Sequence, residues 1–191
     1  MISVVKKIVM GFCSVITAPL SFLYKITKSR ALFAGQGQLL ALAPGKLGSY
    51  LRVSYYCRTL NRCTPQGYIG FGSFFAHPEA EVGIGYYIGA YSIIGKAIIG
   101  DYATIASHVS ILSGRNQHGY TEIGKPIQEQ RRVFATISIG ENCWIGNNAV
   151  VMADLGKQTV VAAGSVVVDV TQGMEVVAGN PAKNIKKIPS K

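Results

Sequence analysis

Between Tyr68 and Val168 an aliphatic residue returns at about every sixth position. The units "IGFGSF" from Ile69, "VGIGYY" from Val82, "IGAYSI" from Ile88, "IGKAI" from Ile94, "IGDYAT" from Ile99 and "IASHVS" from Ile105 follow one another. After an interruption come "IGENCW" from Ile139, "IGNNAV" from Ile145, "LGKQTV" from Leu155 and "VAAGSV" from Val161. A period of six matches neither the helical repeat nor the simple alternation of a strand. It suits a coil of short strands with a corner every six residues, the aliphatic pointing inward and stacking on its counterparts in adjacent turns. Three units make one triangular turn. Such a turn is covered only by its neighbours, so the array must be several turns long and capped at its ends. Residues 68–112 and 139–168 supply roughly four turns on this arithmetic.

Composition agrees. Hydrophobic residues make up 49% of the 191 and charged residues 15%, which excludes a disordered chain. The 22 glycines lack a collagen register and suit frequent corners. Four cysteines, Cys13, Cys57, Cys63 and Cys143, form no CxxC pair, so neither a disulfide framework nor a zinc site is expected.

The charge of +10 is unevenly placed. Nine basic and no acidic residues precede Glu79, whereas later residues nearly balance. An anionic partner is therefore expected for the front of the chain, residues 1–62. Residues 1–30 contain an uncharged run, Ile8 to Tyr24, flanked by lysines. On a helix, Lys7, Gly11, Ser14, Thr17, Ser21, Lys25 and Lys28 share one face, and Ile8, Phe12, Ile16, Leu20 and Leu23 another. This spacing favours an amphipathic helix lying in a membrane plane over a spanning helix or one packed on the protein itself. Pro19 is expected to kink any helix running through it. The protein is then expected to be cytoplasmic, held at the inner face of the cytoplasmic membrane. Residues 31–64 read as a turn-rich join, "AGQGQ" (34–38), followed by a helical cap started by Pro44. Arg52, Arg58 and Arg62 are expected in solvent or at lipid phosphates. No nucleic-acid motif accompanies them, so no nucleic-acid partner is expected.

The repeat region, 65–191, resembles the left-handed parallel β-helix of the hexapeptide-repeat acyltransferases, most specifically in "ISIGENCWIGNNAVV", "VVAAGSVV" and "VVAGNPAK". The handedness comes from that resemblance; general crossover rules favour the opposite hand. Two departures stand out: "VMAD" before Leu155 is about two residues short, and "VVVDV" lacks the usual Thr-Lys before Asp169. The resemblance implies a homotrimer using acetyl-CoA to O-acetylate a sugar. The basic amphipathic front, which places the protein at a membrane, makes a polyprenyl-linked saccharide of an exported polysaccharide one expected acceptor. No metal is expected.

The excursion 114–136 breaks the coil, and insertions of this kind project from one face of a stacked repeat. It carries His118 in the slot of the family's catalytic histidine. Imidazole is suited to removing a hydroxyl proton near neutral pH. The resemblance also places Trp144, Gly146, Asn147, Ala163, Gly164, Lys183 and Lys186 along the coenzyme A arm and its phosphates. His108 and Tyr86 are weaker candidates for acceptor contact, and His77 reads as structural. Two other readings use the same coil: a non-catalytic membrane scaffold, and a zinc enzyme of the γ-carbonic-anhydrase kind, which needs all three histidines to converge.

Overall fold

The computed structural model describes residues 4–189. Residues 1–3 and 190–191, the ends of the expected first and last segments, lie outside it. Three helices lead into a coil of short strands: α1 (Val4–Thr27), α2 (Arg30–Ala41) and α3 (Gly45–Thr59).

The strands form three sheets, one on each side of a prism. The first stacks β1 (Gly67–Ile69), β4 (Tyr86–Ile88), β7 (Thr104–Ile105), β10 (Trp144–Ile145), β12 (Val160–Val161) and β14 (Glu175–Gly179) in parallel. The antiparallel β15 (Ala182–Lys187) closes it. The second holds β2 (Phe74–Phe75), β5 (Ile93–Ile94), β8 (Ser110–Ile111), β11 (Val150–Val151) and β13 (Val166–Val167). The third holds β3 (Glu81–Val82), β6 (Ala97–Ile99) and β9 (Ile137–Ile139), extended by a bridge to Leu155.

The inward ladders are the hexapeptide aliphatics. Ile69, Ile88, Ile105, Ile145, Val161 and Val177 lie in register on one side. Phe75, Ile94, Ile111, Val151 and Val167 line the second, and Val82, Ile99, Ile139 and Leu155 the third. All are buried; each contributes about 1.5–3 kcal/mol of transfer free energy. The parallel strands mark six levels rather than the four expected. The first turn takes 19 residues, Tyr68 standing over Tyr87, but later ones take 17 or 16, as Tyr87 stands over Thr104 and Trp144 over Val160, so the turns do not keep to three full hexapeptides. The stack also continues beyond Val168 into β14.

The helices cap the open end of the prism. Phe75, at the head of the second ladder, packs edge-on against Tyr56 at 4.8 Å, and the Tyr56 hydroxyl accepts the Phe75 N–H at 3.1 Å. "AGQGQ" is the middle of α2 and not a join. Gly37 sits where a Cβ would lie 2.6 Å from the Tyr56 hydroxyl, so this glycine permits close packing instead of a turn. Arg52 is fully buried rather than in solvent. Its guanidinium donates to the carbonyls of Leu40, Ala41 and Ala43 at the end of α2 and to Ile69 of the first strand. It satisfies the orphan carbonyls of a helix end and ties the cap to the coil.

The helix α1 runs through Pro19 without interruption, with Pro19 on the exposed side. Its small and polar stripe faces the protein: Cys13, Thr17, Ser21 and Tyr24 are buried. Thr17 and Ser21 donate their hydroxyls back to the Cys13 and Thr17 carbonyls.

Candidate active site

The excursion leaves the coil after β8 and returns at β9, at the edge between the second and third sheets. Its root is closed by the Ala135 N–H on the Ser113 carbonyl at 2.9 Å, and the Ser113 hydroxyl accepts the Lys96 N–H at 2.9 Å. Two further backbone bonds, Gly119 N–H to Arg131 (2.7 Å) and Val133 N–H to Gln117 (3.3 Å), zip the outgoing and returning arms together. At the tip the buried Gln130 acts as a clamp. Its amide nitrogen donates to the carbonyls of Glu122 (3.1 Å) and Lys125 (2.9 Å), and its oxygen accepts the Glu122 N–H (3.2 Å).

His118 stands on the outgoing arm, exposed, at the junction of two depressions. One, of about 460 Å³, is lined with Asn116, Tyr120, Glu122, Gln130 and Arg131; the other, of about 520 Å³, lies against Pro126, Ile127 and Gln128. Glu122 shares the first depression with His118 and pairs with Lys125 at 3.0 Å. Glu141 lies elsewhere, in a cleft with Asn142, Lys157 and Gln158.

The other candidates fall into two groups. Gly146, Asn147, Ala163 and Gly164 meet at the edge between the first and second sheets. A Cβ on Gly146 would stand 2.6 Å from the Ala163 nitrogen, and the Gly164 N–H donates to the Asn147 carbonyl at 2.8 Å. Nothing lies within 4 Å of the place a Gly164 side chain would take, so an extended chain can approach the backbone there. His108 occupies the same edge higher up, its ring stacked on Tyr91 at 5.1 Å. The second group is a column on the outer face of the first sheet. Trp144, Val160, Val176 and Lys186 are in register, with Trp144 pointing outward and 55% exposed. Lys183 is engaged by Asp169 at 3.3 Å, and Asp169 also faces Arg115 of the excursion at 3.9 Å. This exposed triad joins the C-terminal hairpin to the root of the loop.

Within one chain His118 and the Asn147–Gly164 edge therefore do not meet. They occupy different edges of the prism, separated by one side of the second sheet, about six residues at roughly 3.3 Å each.

Tyr86 is corrected. It is 1% exposed, inside the coil, with its hydroxyl donating to the Thr64 carbonyl at 3.3 Å, and it presents no atom to an acceptor. His77 lies 3.3 Å from Arg30 and packs on Phe134 of the excursion at 5.2 Å. Its burial, chiefly, pulls its pKa below the usual value. Among the described residues no three His, Cys, Asp or Glu side chains converge on a metal-sized site, so the convergence of histidines that a zinc enzyme needs is not formed. Sequence reasoning missed Gln130, which looks like any loop glutamine, and the Asp169 link, whose partners are distant in the chain. It also missed the Cys57–Cys63 thiol pair, 3.6 Å apart across the end of α3.

No family model matches the chain. Over 102 residues it is 36% identical to Saccharomyces cerevisiae YJL218W, an acetyltransferase by name, covering 49% of this chain and 51% of that protein. It is 33% identical over 109 residues to the dTDP-4-amino-4,6-dideoxy-D-glucose acyltransferase of Escherichia coli, covering 53% and 57%. The crystal structure of a maltose O-acetyltransferase from Clostridium difficile 630 superposes with a TM-score of 0.72 at 21% identity, over 85% of this chain and 88% of that one. The chain thus shares the fold of a solved acetyltransferase and is similar to curated acyltransferases over about half of its length. A second structural neighbour of this hexapeptide-repeat protein is the Bacillus cereus N-acyltransferase AntD, in a mutant complex with dTDP-4-amino-4,6-dideoxyglucose and coenzyme A. Its TM-score is 0.54 at 19% identity, over 65% and 71% of the two chains. The hexapeptide-repeat chain spans about half the length of the curated relatives it matches.

Proposed function

We propose that this protein transfers an acetyl group from acetyl-CoA to a sugar hydroxyl, with His118 as general base. The observation that carries the reading is the placement of His118. A loop clamped by Gln130 and zipped at two levels holds an exposed imidazole over a polar depression at the edge of an acyltransferase coil. His118 takes the proton of the acceptor hydroxyl as its oxygen attacks the thioester carbonyl carbon. The tetrahedral oxyanion collapses, the C–S bond breaks, and the imidazolium returns its proton to the departing thiolate. A backbone N–H at a coil corner is suited to the oxyanion. The open Asn147–Gly164 edge fits the pantetheine arm, with Trp144 beside it and Lys183 and Lys186 toward the phosphates.

Because His118 and that edge lie on different corners, the reading also calls for a homotrimer in which one copy's loop faces the neighbour's coil edge. Exposed apolar groups on both surfaces support this: Tyr120, Ile123 and Ile127 on the loop, and Tyr87, Ile93 and Trp144 on the coil. The E. coli relative is named for a dTDP-linked amino sugar and the AntD complex holds one, while the C. difficile neighbour is named for maltose. Those names support a saccharide acceptor. A polyprenyl-linked saccharide of an exported polysaccharide fits the basic front of the chain.

The test is release of free thiol from acetyl-CoA by the purified protein against a panel of saccharides, with glycan mass spectrometry to locate the ester. His118→Ala is expected to lower kcat by at least about a hundredfold. Undiminished turnover in that variant would remove His118 from the reaction.

A further inference from the structure

The helix α1 is inside out for a helix packed on a water-soluble body. Its polar stripe is turned inward, and its large side chains look outward: Ile8, Phe12, Val15, Phe22 and Ile26 are 64 to 72% exposed, with Ile16 and Leu23 about half exposed. That outer face carries no charge. Lys7 and Lys25, both exposed, lie along one border of it, and the corner between α2 and α3 leaves Leu39, Leu42 and Leu47 exposed beside Lys46.

The inward stripe is bonded and not merely packed. Arg58 of α3 donates to the Ser14 carbonyl at 2.6 Å, to the Ser14 hydroxyl and to the Thr17 hydroxyl at 3.3 Å. Ser54 donates to the Met10 carbonyl, and the Tyr24 ring packs on Phe33 of α2 at 5.3 Å. At 24 residues α1 is long enough to cross a bilayer. Doing so would strip Arg58 of its partners and expose Thr17 and Ser21 to hydrocarbon.

We infer that the outer face of α1 is a docking surface for an anionic lipid bilayer, with the helix held flat in the interface by its bonds to α3. Charge selects this occupant. Arg52 is buried, Arg58 is bonded to α1, and Arg30 and Arg62 pair with Glu79 and Glu81. But Lys7, Lys25, Lys28 and Lys46 lie exposed with no acidic residue before Glu79, so this surface repels a second copy of itself and is drawn to acidic headgroups. The apolar side chains enter the acyl boundary while Lys7 and Lys25 reach the phosphates. The inference stands apart from the acyl-transfer reading, because docking needs no substrate.

The experiment is flotation of the full-length protein with phosphatidylcholine vesicles and with mixed phosphatidylglycerol–phosphatidylcholine vesicles. The wild type is expected to float with the mixed vesicles and to be released by alkaline carbonate. Phe12→Ser combined with Phe22→Ser is expected to abolish flotation. Lys7→Gln combined with Lys25→Gln is expected to weaken binding to the mixed vesicles roughly thirty-fold. Both variants alter exposed groups, so circular dichroism and the thermal midpoint should match the wild type. Three outcomes would overturn the inference. The first is a wild type that stays in the bulk with either vesicle. The second is carbonate-resistant insertion, the mark of a spanning helix. The third is a serine variant that changes oligomer size in light scattering while the wild type fails to float, the mark of a second copy on this face.

Discussion

The Arg58 guanidinium of α3 reaches the Ser14 carbonyl of α1 at 2.6 Å, and this contact sets which face of α1 looks outward. Ser14 has a small side chain, so the two helices approach closely enough for a guanidinium to reach main chain. Arginine suits the position because its fork of donors serves the Ser14 carbonyl and hydroxyl and the Thr17 hydroxyl together.

Replacing Arg58 with Ala is therefore expected to loosen α1 before anything else. The loss should be on the order of 1.5–3 kcal/mol, the range for hydrogen bonds to a charged group. Hydrogen exchange should rise across residues 8–24 while the amides of the coil keep their protection.

Gln130 holds the arms of the excursion that positions His118. Gln130→Ala removes three bonds at once and leaves the Glu122 and Lys125 carbonyls without this partner. The expected result is faster proteolysis between residues 119 and 131 and a loss of acyl transfer of about tenfold to a hundredfold from mispositioning. The thermal midpoint of the coil should barely move, since its ladders are untouched.

At Gly146 the coil has no room for a side chain: a Cβ would meet the Ala163 backbone nitrogen at 2.6 Å, and backbone cannot swing away. Gly146→Val is expected to cost about 1–3 kcal/mol, the range for overpacking, read by urea unfolding. An unchanged midpoint would mean that the turns are not stacked as described.

Glu175 gives the stability a pH dependence. Its buried carboxylate is disfavoured by desolvation, but this is outweighed by hydrogen bonds from the Asn184 side chain, the Gln172 N–H (2.7 Å) and Lys187 (3.2 Å), so its pKa falls below the usual glutamate value. A depressed carboxylate stabilises the folded state above its unfolded pKa, and that contribution disappears as pH falls through the folded value. The thermal midpoint should thus drop on acidification below about pH 4.3, the ordinary glutamate value. Glu175→Gln should flatten this part of the profile.

The coil was legible because its signal is local and repeated. Every inward position needs an aliphatic and every tight corner a small residue, so Ile88, Ile105 and Ile145 announce the same requirement in turn. The outward direction of Trp144 followed from its neighbour Cys143, since adjacent strand residues face opposite sides. The same alternation bears on Tyr86, which reads as a contact residue only until its register beside Tyr87 is known: Tyr87 is exposed, so Tyr86 points in.

The front of the chain was legible in kind and not in detail. A helical period reveals that α1 has two faces, but both are plausible inner faces until its partner is known. An amphipathic pattern alone assigns the apolar side to whatever is dry; α3, offering Arg58 and Ser54, takes the polar side instead. Arg52 shows the same limit. Its charge suggests solvent, yet four carbonyls brought together by the end of α2 with the turn after it and the end of β1 make a buried site for it.

The amino-acid sequence by itself determined the prism, its inward ladders, the break at residues 114–136 and the imbalance of charge, because each depends on neighbours within one or two turns. Only the tertiary structure decided which edge of the prism bears His118, which edge bears Asn147 and Gly164, and which side of α1 is left uncovered. Those outcomes depend on how many residues each turn consumes and on bonds between segments more than forty positions apart, as between Ser14 and Arg58. Contacts of that kind leave no periodic trace along the chain.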